Sequence, residues 1–237
     1  LMPVMPSTTY HKYDVTDYLD IDPEYGTMDD FKNLVAACHD RGINVIIDLV
    51  MNHTSSQHEW FKTAAEYLKN LPEGATPDAS ECPYVDYYNF SKEMQGGYSN
   101  IDGTDWYYES QFWSEMPDLN LGNQAVRDEF DKIVDFWLDL GVDGFRLDAA
   151  KEYYSGSVDK NVEVLKRILE NVHKSFKART ASDKARKGVM KQLLDVDTKS
   201  KLAACSSKKS EECEIYIVEG DSAGGTVKTA RNRRTQA

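Results

Sequence analysis

In the first two thirds of the chain, several polar residues have the types and spacing needed to cleave a glycosidic bond. Asp48 lies in an apolar run, Asn52-His53 follows that run, and Arg146 and Asp148 belong to a second short run. Arg146 and Asp148 are two positions apart, so they share one face of a strand. A neighbouring cation keeps a carboxylate ionised and nucleophilic. Retaining cleavage of a glycosidic bond requires such a carboxylate and a second carboxyl group as acid and base.

A second acidic group lies near the other end of the chain. The tripeptide Glu219-Gly220-Asp221 follows the apolar residues 215–218. A buried strand there would place Glu219 at its carboxyl end, where a divalent ion stabilises charge during phosphoryl transfer. In most proteins the same tripeptide is only a polar turn. A phosphate-binding loop is excluded, because Thr226-Val227 replaces the Lys-Ser/Thr pair that such a loop requires.

The charge is distributed unevenly along the 237 residues. Residues 1–166 contain 12 Lys+Arg and 31 Asp+Glu, a formal charge of −19, whereas residues 167–237 contain 16 and 9, a formal charge of +7. This asymmetry suggests two parts with separate partners. The acidic part suits neutral sugars and repels nucleic acid. The basic part is either attracted to phosphates or simply a solvated surface.

Cysteines and apolar runs indicate the broad class of protein. The four cysteines form no C-x-x-C pair, which predicts neither a structural zinc site nor a disulfide framework. No apolar run approaches membrane-spanning length, and no signal peptide is visible. We therefore expect a cytoplasmic protein without a membrane partner, while secretion of a longer parent protein stays open.

Alternating helices and strands predict an α/β fold. Thr27 reads as the N-cap of a first helix, and a third helix begins at Val158. The other predicted elements are a helix over 28–41, a buried strand over 44–50, a long insertion over 54–122, a helix over 124–140 and a strand over 144–148. Such βα units form a parallel sheet, and in a parallel barrel the carboxyl ends of the strands carry the active site.

Four motifs carry a specific resemblance. Residues 10–14, 48–53, 116–120 and 144–151 occur in the order and spacing of the α-amylase family, glycoside hydrolase family 13. The resemblance covers residues 1 to about 166. It implies a partial (β/α)8 TIM barrel in which the insertion matches the family's domain B, and it implies an α-glucan or maltooligosaccharide as substrate.

The resemblance also implies roles for individual residues. Asp148 matches the nucleophile and Arg146 its partner. Tyr13 would stack under the sugar and His53 would hydrogen-bond it, while Asp48 either contacts substrate or only holds the strand end. Further positions match a substrate-contacting lysine, Lys151, and structural calcium ligands, Asn52 and Asp118. Glu152 stands where many α-amylases have histidine.

Two parts of the family's machinery have no counterpart in the chain. The acid/base glutamate of the fifth strand and the aspartate after the seventh strand would lie beyond residue 165, and only about three of the eight barrel strands are present. General acid–base help is worth roughly 10²–10⁴-fold. We therefore expect weak hydrolysis.

From about residue 168 a different resemblance begins. Residues 201–207 and 214–225 are similar to the B subunit of DNA gyrase or its topoisomerase IV counterpart. This implies a partial Toprim α/β segment over 167–237, in which Glu219 binds magnesium and acts as acid and base. The complete parent would use ATP and act on DNA with a gyrase A-type subunit. We expect no DNA cleavage, because the second metal-binding Asp-x-Asp is missing. The two resemblances together suggest a chimaera joined near 165–170, within one helix.

Overall fold

The computed structural model describes residues 1–198, 205–207, 209–215 and 227–236. The chain divides into two compact units, Leu1–Lys177 and Ala178–Ala237. Glu219 and most of the predicted strand over 215–218 lie outside the described residues. Among the described helices, none combines the length and the apolar character needed to cross a membrane.

The elements follow the predicted order closely. The main helices are α1 (Met28–His39), α2 (Glu59–Asn70), α3 (Gln124–Asp139) and α4 (Val158–Thr198). The strands are β1 (Ile46–Leu49), β2 (Phe90–Ser91), β3 (Tyr98–Asn100), β4 (Tyr107–Glu109) and β5 (Gly144–Leu147).

The predicted parallel pairing is present between β1 and β5. Ile46 lies opposite Gly144 and Asp48 opposite Arg146. The backbone of Leu1 continues the ladder on the other side of β1, since its amino group donates to Ile46 O at 2.7 Å and its carbonyl accepts from Asp48 N at 3.1 Å. The parallel pairing of a largely buried strand, β1, with β5 matches the expectation of a partial (β/α)8 fold.

Helices α1 and α3 cover this sheet with apolar faces. Thr27 caps α1 as predicted, in a capping box with Asp30, and the helix ends two residues earlier than expected, at His39. Asn123 caps α3. The two helices meet in the core, where the Phe31 and Trp137 rings lie edge to face, 5.3 Å between centroids.

The insertion returns to the carboxyl end of β1. It contains α2 and an antiparallel sheet in the order β2-β4-β3. Its end is tied back by Leu119 N donating to Asn52 O at 2.8 Å and Thr54 N donating to Pro117 O at 3.1 Å. An isolated bridge also pairs His53 with Asp118. The insertion therefore contributes directly to the site at the end of β1.

Helix α4 runs without interruption through residues 165–170. The prediction that this stretch lies within one helix is confirmed. Beyond α4, residues 210–212 form a 3-10 turn, and Glu214 makes a parallel bridge with Gln236. Residues 227–230 are helical, and residues 233–235 form a turn.

Candidate active site

Arg146 lies at the centre of the candidate site. Its Nη1 donates to Asp148 Oδ1 at 2.6 Å and to Asp48 Oδ2 at 3.1 Å. The Tyr13 hydroxyl donates to the same oxygen of Asp48 at 3.0 Å. The structure thus brings together the four predicted residues Tyr13, Asp48, Arg146 and Asp148. Register explains the arrangement, because Asp48 is opposite Arg146 and Asp148 follows on the same side.

The side chains of Asp48 and Asp148 differ in how much of each is exposed. Asp48 has 7% of its side chain exposed and Asp148 has 20%. Arg146 occupies Oδ1 of Asp148, while Oδ2 accepts no hydrogen bond from the described residues. The accessible and unengaged oxygen is the one suited to attack a carbon atom. Asp48 instead accepts from both Tyr13 and Arg146 and orients them.

The pKa values of Arg146 and Tyr13 are both raised in the site. The carboxylate of Asp48, and then that of Asp148, raises the pKa of Arg146. Burial raises the pKa of Tyr13, and its hydrogen bond to Asp48 adds to the shift. Tyr13 therefore remains a phenol that donates, and Arg146 remains a cation.

A buried carboxylate that sequence reasoning missed holds the loop of Tyr13. Asp14 accepts hydrogen bonds from the hydroxyls of Ser7, Thr8 and Thr9, and from Thr8 N at 3.1 Å. Although burial opposes the charge, these donors lower the pKa of Asp14. The signal in the sequence is three consecutive hydroxyl residues followed closely by an acid, which is a common pattern in polar loops and therefore weak.

Lys12, next to Tyr13, has an unusual backbone. Its φ of 65° is in the left-handed region that favours glycine. Its buried ammonium group pairs with Asp22 at 2.8 Å and Glu24 at 2.7 Å. The ion pairs hold the conformation that turns Tyr13 toward Asp48.

His53 presents a buried nitrogen without a protein partner. Only 2% of the residue is exposed, and Nε2 has no hydrogen bond within the described residues. Burial lowers the pKa of His53 to about 4, so the ring is neutral at physiological pH. Asn52 Nδ2 lies 3.5 Å from Nδ1. The neutral ring carries its proton on one of the two nitrogens, so Nε2 is able to donate to or accept from a ligand hydroxyl.

Two exposed aromatic residues of the insertion lie beside His53. The Phe112 ring is 5.4 Å from the His53 ring, and Trp113 is the next residue. Large exposed aromatic side chains are unusual on a polar segment and suit contact with a sugar face. Sequence reasoning missed both, although the adjacent pair in a polar insertion was a usable signal.

Asn52 and Asp118, the predicted calcium ligands, are in direct contact. Asn52 Nδ2 donates to Asp118 Oδ1 at 2.7 Å, and Gln111 N donates to Oδ2 at 2.7 Å. Burial raises the pKa of Asp118 to about 7 despite these donors. A buried carboxyl group of this kind fits a cation, but calcium takes about six to eight oxygen ligands. No group of three His, Cys, Asp or Glu converges in the described part of the chain, so calcium binding stays a prediction.

Lys151 lies apart from the Arg146 network. Its side chain is 89% exposed and pairs with Glu152 at 3.2 Å. Substrate contact by Lys151 stays a prediction, as do the magnesium and the acid/base role of Glu219, which lies outside the described residues.

A comparison with protein families gives a match to the alpha-amylase catalytic domain over residues 1–220. The chain belongs to the alpha-amylase family. Among relatives of this family, Alpha-amylase 3 of Dictyoglomus thermophilum is 49% identical over 169 residues, covering 69% of this chain and 30% of that protein. The Trehalose synthase/amylase TreS of Mycolicibacterium smegmatis is 40% identical over 151 residues, covering 58% of this chain and 23% of that protein.

Solved structures of the alpha-amylase family agree with this assignment. Eubacterium rectale Amy13B superposes with a TM-score of 0.71 at 60% identity, covering 72% of this chain and 33% of that one. An alpha-amylase from H. orenii gives a TM-score of 0.62 at 39% identity, covering 74% and 35%. The chain thus spans about a third of the length of these relatives.

The alpha-amylase match bears on the predicted chimaera. It continues to residue 220, past the boundary predicted at residue 166. The comparisons give no support to the predicted gyrase or Toprim segment over 167–237, nor to DNA, a gyrase A-type subunit or ATP as partners. The comparisons establish that this chain is related to the alpha-amylase family.

Proposed function

We propose that the chain acts on α-glucans or maltooligosaccharides by retaining cleavage of α-glucosidic bonds, with Asp148 as the nucleophile. The observation that carries the proposal is the placement of Arg146 between a buried and an accessible carboxylate. The kinship with an alpha-amylase and a trehalose synthase/amylase supports an α-glucoside as substrate.

In the proposed first step, Asp148 is the nucleophile. Asp148 Oδ2 attacks the anomeric carbon, the bond to the leaving oxygen breaks, and a covalent glycosyl ester forms. Arg146 Nη1 holds Oδ1 and orients the carboxylate for the attack. His53 Nε2 donates to a hydroxyl of the same sugar, and Phe112 packs near it. The oxygen of water or of a sugar hydroxyl then bonds to the anomeric carbon, releases the Asp148 carboxylate, loses its proton to solvent and restores the original configuration.

The leaving oxygen of a natural glucan needs a proton. Asp48 is poorly suited to supply it, because this buried carboxylate already accepts from Tyr13 and Arg146. We therefore expect slow cleavage of maltooligosaccharides by this chain. A substrate whose leaving group needs no proton should react much faster, because the acid assistance that Asp48 is poorly suited to give is worth roughly 10²–10⁴-fold.

The test compares two substrates with the same sugar. α-Maltosyl fluoride loses fluoride without protonation, whereas maltotriose must expel a sugar alkoxide. We expect measurable fluoride release, very slow maltotriose cleavage, and loss of fluoride release in Asp148→Asn. A 5-fluoroglycosyl fluoride, which slows the second step, should label the peptide that contains Asp148. Unchanged fluoride release in Asp148→Asn, or a label on another residue, would overturn the proposal.

A further inference from the structure

Two cysteines that are distant from the candidate site lie against each other. The Sγ atoms of Cys205 and Cys213 are 3.5 Å apart, and both residues are partly exposed thiols. Eight positions separate them in the sequence. Spacing alone predicted no disulfide framework, because no short cysteine motif is present. The contact arises from the way the chain turns back between the two residues.

Backbone pairing holds both cysteines in place independently of their thiols. On one side, Ser206 N donates to Arg233 O at 3.0 Å and Ser207 N donates to Arg234 O at 2.8 Å. On the other side, Glu214 N donates to Thr235 O at 2.7 Å. The segments that carry Cys205 and Cys213 are therefore both tied to residues 233–236. A pair of thiols fixed in this way has a high effective concentration.

The surroundings of Cys213 keep it protonated and oriented. Its Sγ lies 3.2 Å from the Lys209 carbonyl oxygen, to which the thiol donates. The hydrogen bond with Cys205 raises the pKa of Cys213, with burial as the next cause. Because the thiolate is the attacking form, the reaction of Cys213 with an oxidant should become faster as the pH rises.

We propose that Cys205 and Cys213 form a redox modification site, at which a small-molecule disulfide converts the two thiols into an intramolecular disulfide. One cysteine thiolate attacks the oxidant RSSR, forms a mixed disulfide and releases one RS⁻. The second cysteine loses its proton to solvent, attacks the protein sulfur of the mixed disulfide and releases the second RS⁻. Two cysteine thiols are oxidised and one RSSR is reduced to two RSH.

The disulfide would restrict local opening of the chain around the two cysteines. It would join the two segments that flank residues 233–236. These segments are now held there by the backbone hydrogen bonds of Ser206, Ser207 and Glu214 and by a side-chain bond in which Gln236 Nε2 donates to Glu214 Oε2 at 3.0 Å. Opening of either segment would then require both to move together. The expected consequence is slower local opening of this part of the unit Ala178–Ala237.

Peptide mapping of the full chain tests the site. The chain is treated with oxidised glutathione, its remaining thiols are alkylated, and it is digested with trypsin without reduction. Because Lys208 and Lys209 lie between the two cysteines, an intramolecular disulfide yields a cross-linked pair of peptides. We expect that pair, with Cys38 and Cys82 alkylated. Cys205→Ser and Cys213→Ser should abolish it, and the matched control Cys38→Ser should retain it.

Two further measurements distinguish thiols that the folded structure holds together from thiols that meet by chance in a short flexible loop. Cross-linking should be at least about tenfold slower in denaturant, where the proximity is lost. Amide exchange at Ser206, Ser207 and Glu214 should slow by about tenfold after oxidation. A stable glutathione adduct, a cross-link to Cys38 or Cys82, four alkylated thiols, or equal rates in denaturant would each overturn the site. Unchanged amide exchange would show that the disulfide does not slow local opening.

Discussion

Asp48 and Arg146 lie opposite each other in the parallel pair β1–β5, with Nη1 of the arginine 3.1 Å from Oδ2 of the aspartate. The same nitrogen reaches Asp148. The charge arrangement of the site is therefore set by strand register, because a slip of one residue would turn one side chain to the opposite face. The site depends on the packing that fixes this register.

Removing the charge of Asp48 tests its orienting role. Asp48→Asn keeps the size of the side chain but weakens its hold on Tyr13 and Arg146. We expect fluoride release from α-maltosyl fluoride to fall by roughly tenfold to a hundredfold, since misplacement of a reacting group is costly. The exposed Asp102→Asn is the control and should react like the native chain. A native rate in Asp48→Asn would show that Asp48 only ends the strand.

Local signals account for the predicted elements. Thr27 and Asp30 form the capping box that starts α1, and the apolar runs around Asp48 and Arg146 form strands that pair in parallel as β1 and β5. Asp48, Arg146 and Asp148 are the polar residues within or just after those strands. Each inference needs only nearby sequence and the geometry of parallel sheets.

Contacts between distant loops could not be obtained in this way. The Tyr13–Asp48 bond joins residues 35 positions apart, and the Asn52–Asp118 bond joins residues 66 positions apart. Both depend on how the insertion and the first loop fold back over β1. The sequence pattern gives no measure of that path, and only the family resemblance suggested that these residues meet.

Two substitutions of Lys12 separate the cost of its left-handed backbone from the contribution of its ion pairs. Lys12→Ala and Lys12→Gly both remove the buried partner of Asp22, so each should lower the free energy of unfolding by about 3 kcal/mol. Glycine also relieves the cost of φ 65°. Lys12→Gly should therefore be more stable than Lys12→Ala by about 1 kcal/mol in urea unfolding. Equal stabilities would mean that the left-handed backbone costs nothing here.

His58 should make the fold sensitive to acid. Burial lowers the pKa of His58 to about 4, below its ordinary 6.5, and its Nδ1 accepts from Trp60 N as the N-cap of α2. The neutral form is favoured in the folded state. Its contribution is therefore complete above about pH 6.5 and is lost as the pH falls toward 4.

The matched variant is His58→Asn, because asparagine also caps helices but does not titrate. Between about pH 7.5 and pH 5, the native chain should lose about 2 kcal/mol more of its free energy of unfolding than the variant does. Urea titrations at the two pH values measure the difference. Parallel curves would contradict the shifted pKa.

Asp118 should have the opposite pH dependence. Its pKa is raised to about 7 by burial, so the folded state favours the protonated carboxyl group. The stability it contributes is present below the ordinary pKa of about 4 and is lost as the pH rises through about 7. Asp118→Asn removes this slope, although its amide can accept from only one of the two donors, Asn52 Nδ2 and Gln111 N.

Added calcium provides a second test of the Asp118 carboxylate. Above about pH 7 Asp118 is ionised, and a calcium ion would compete with the two N–H donors for its oxygens. We expect added calcium to raise the Tm of the native chain at about pH 8 and to leave that of Asp118→Asn unchanged, since an ion that binds only the folded state stabilises it. Magnesium at the same concentration is the control for ionic strength. No shift in the native chain would show that Asn52 and Asp118 only join the insertion to the end of β1.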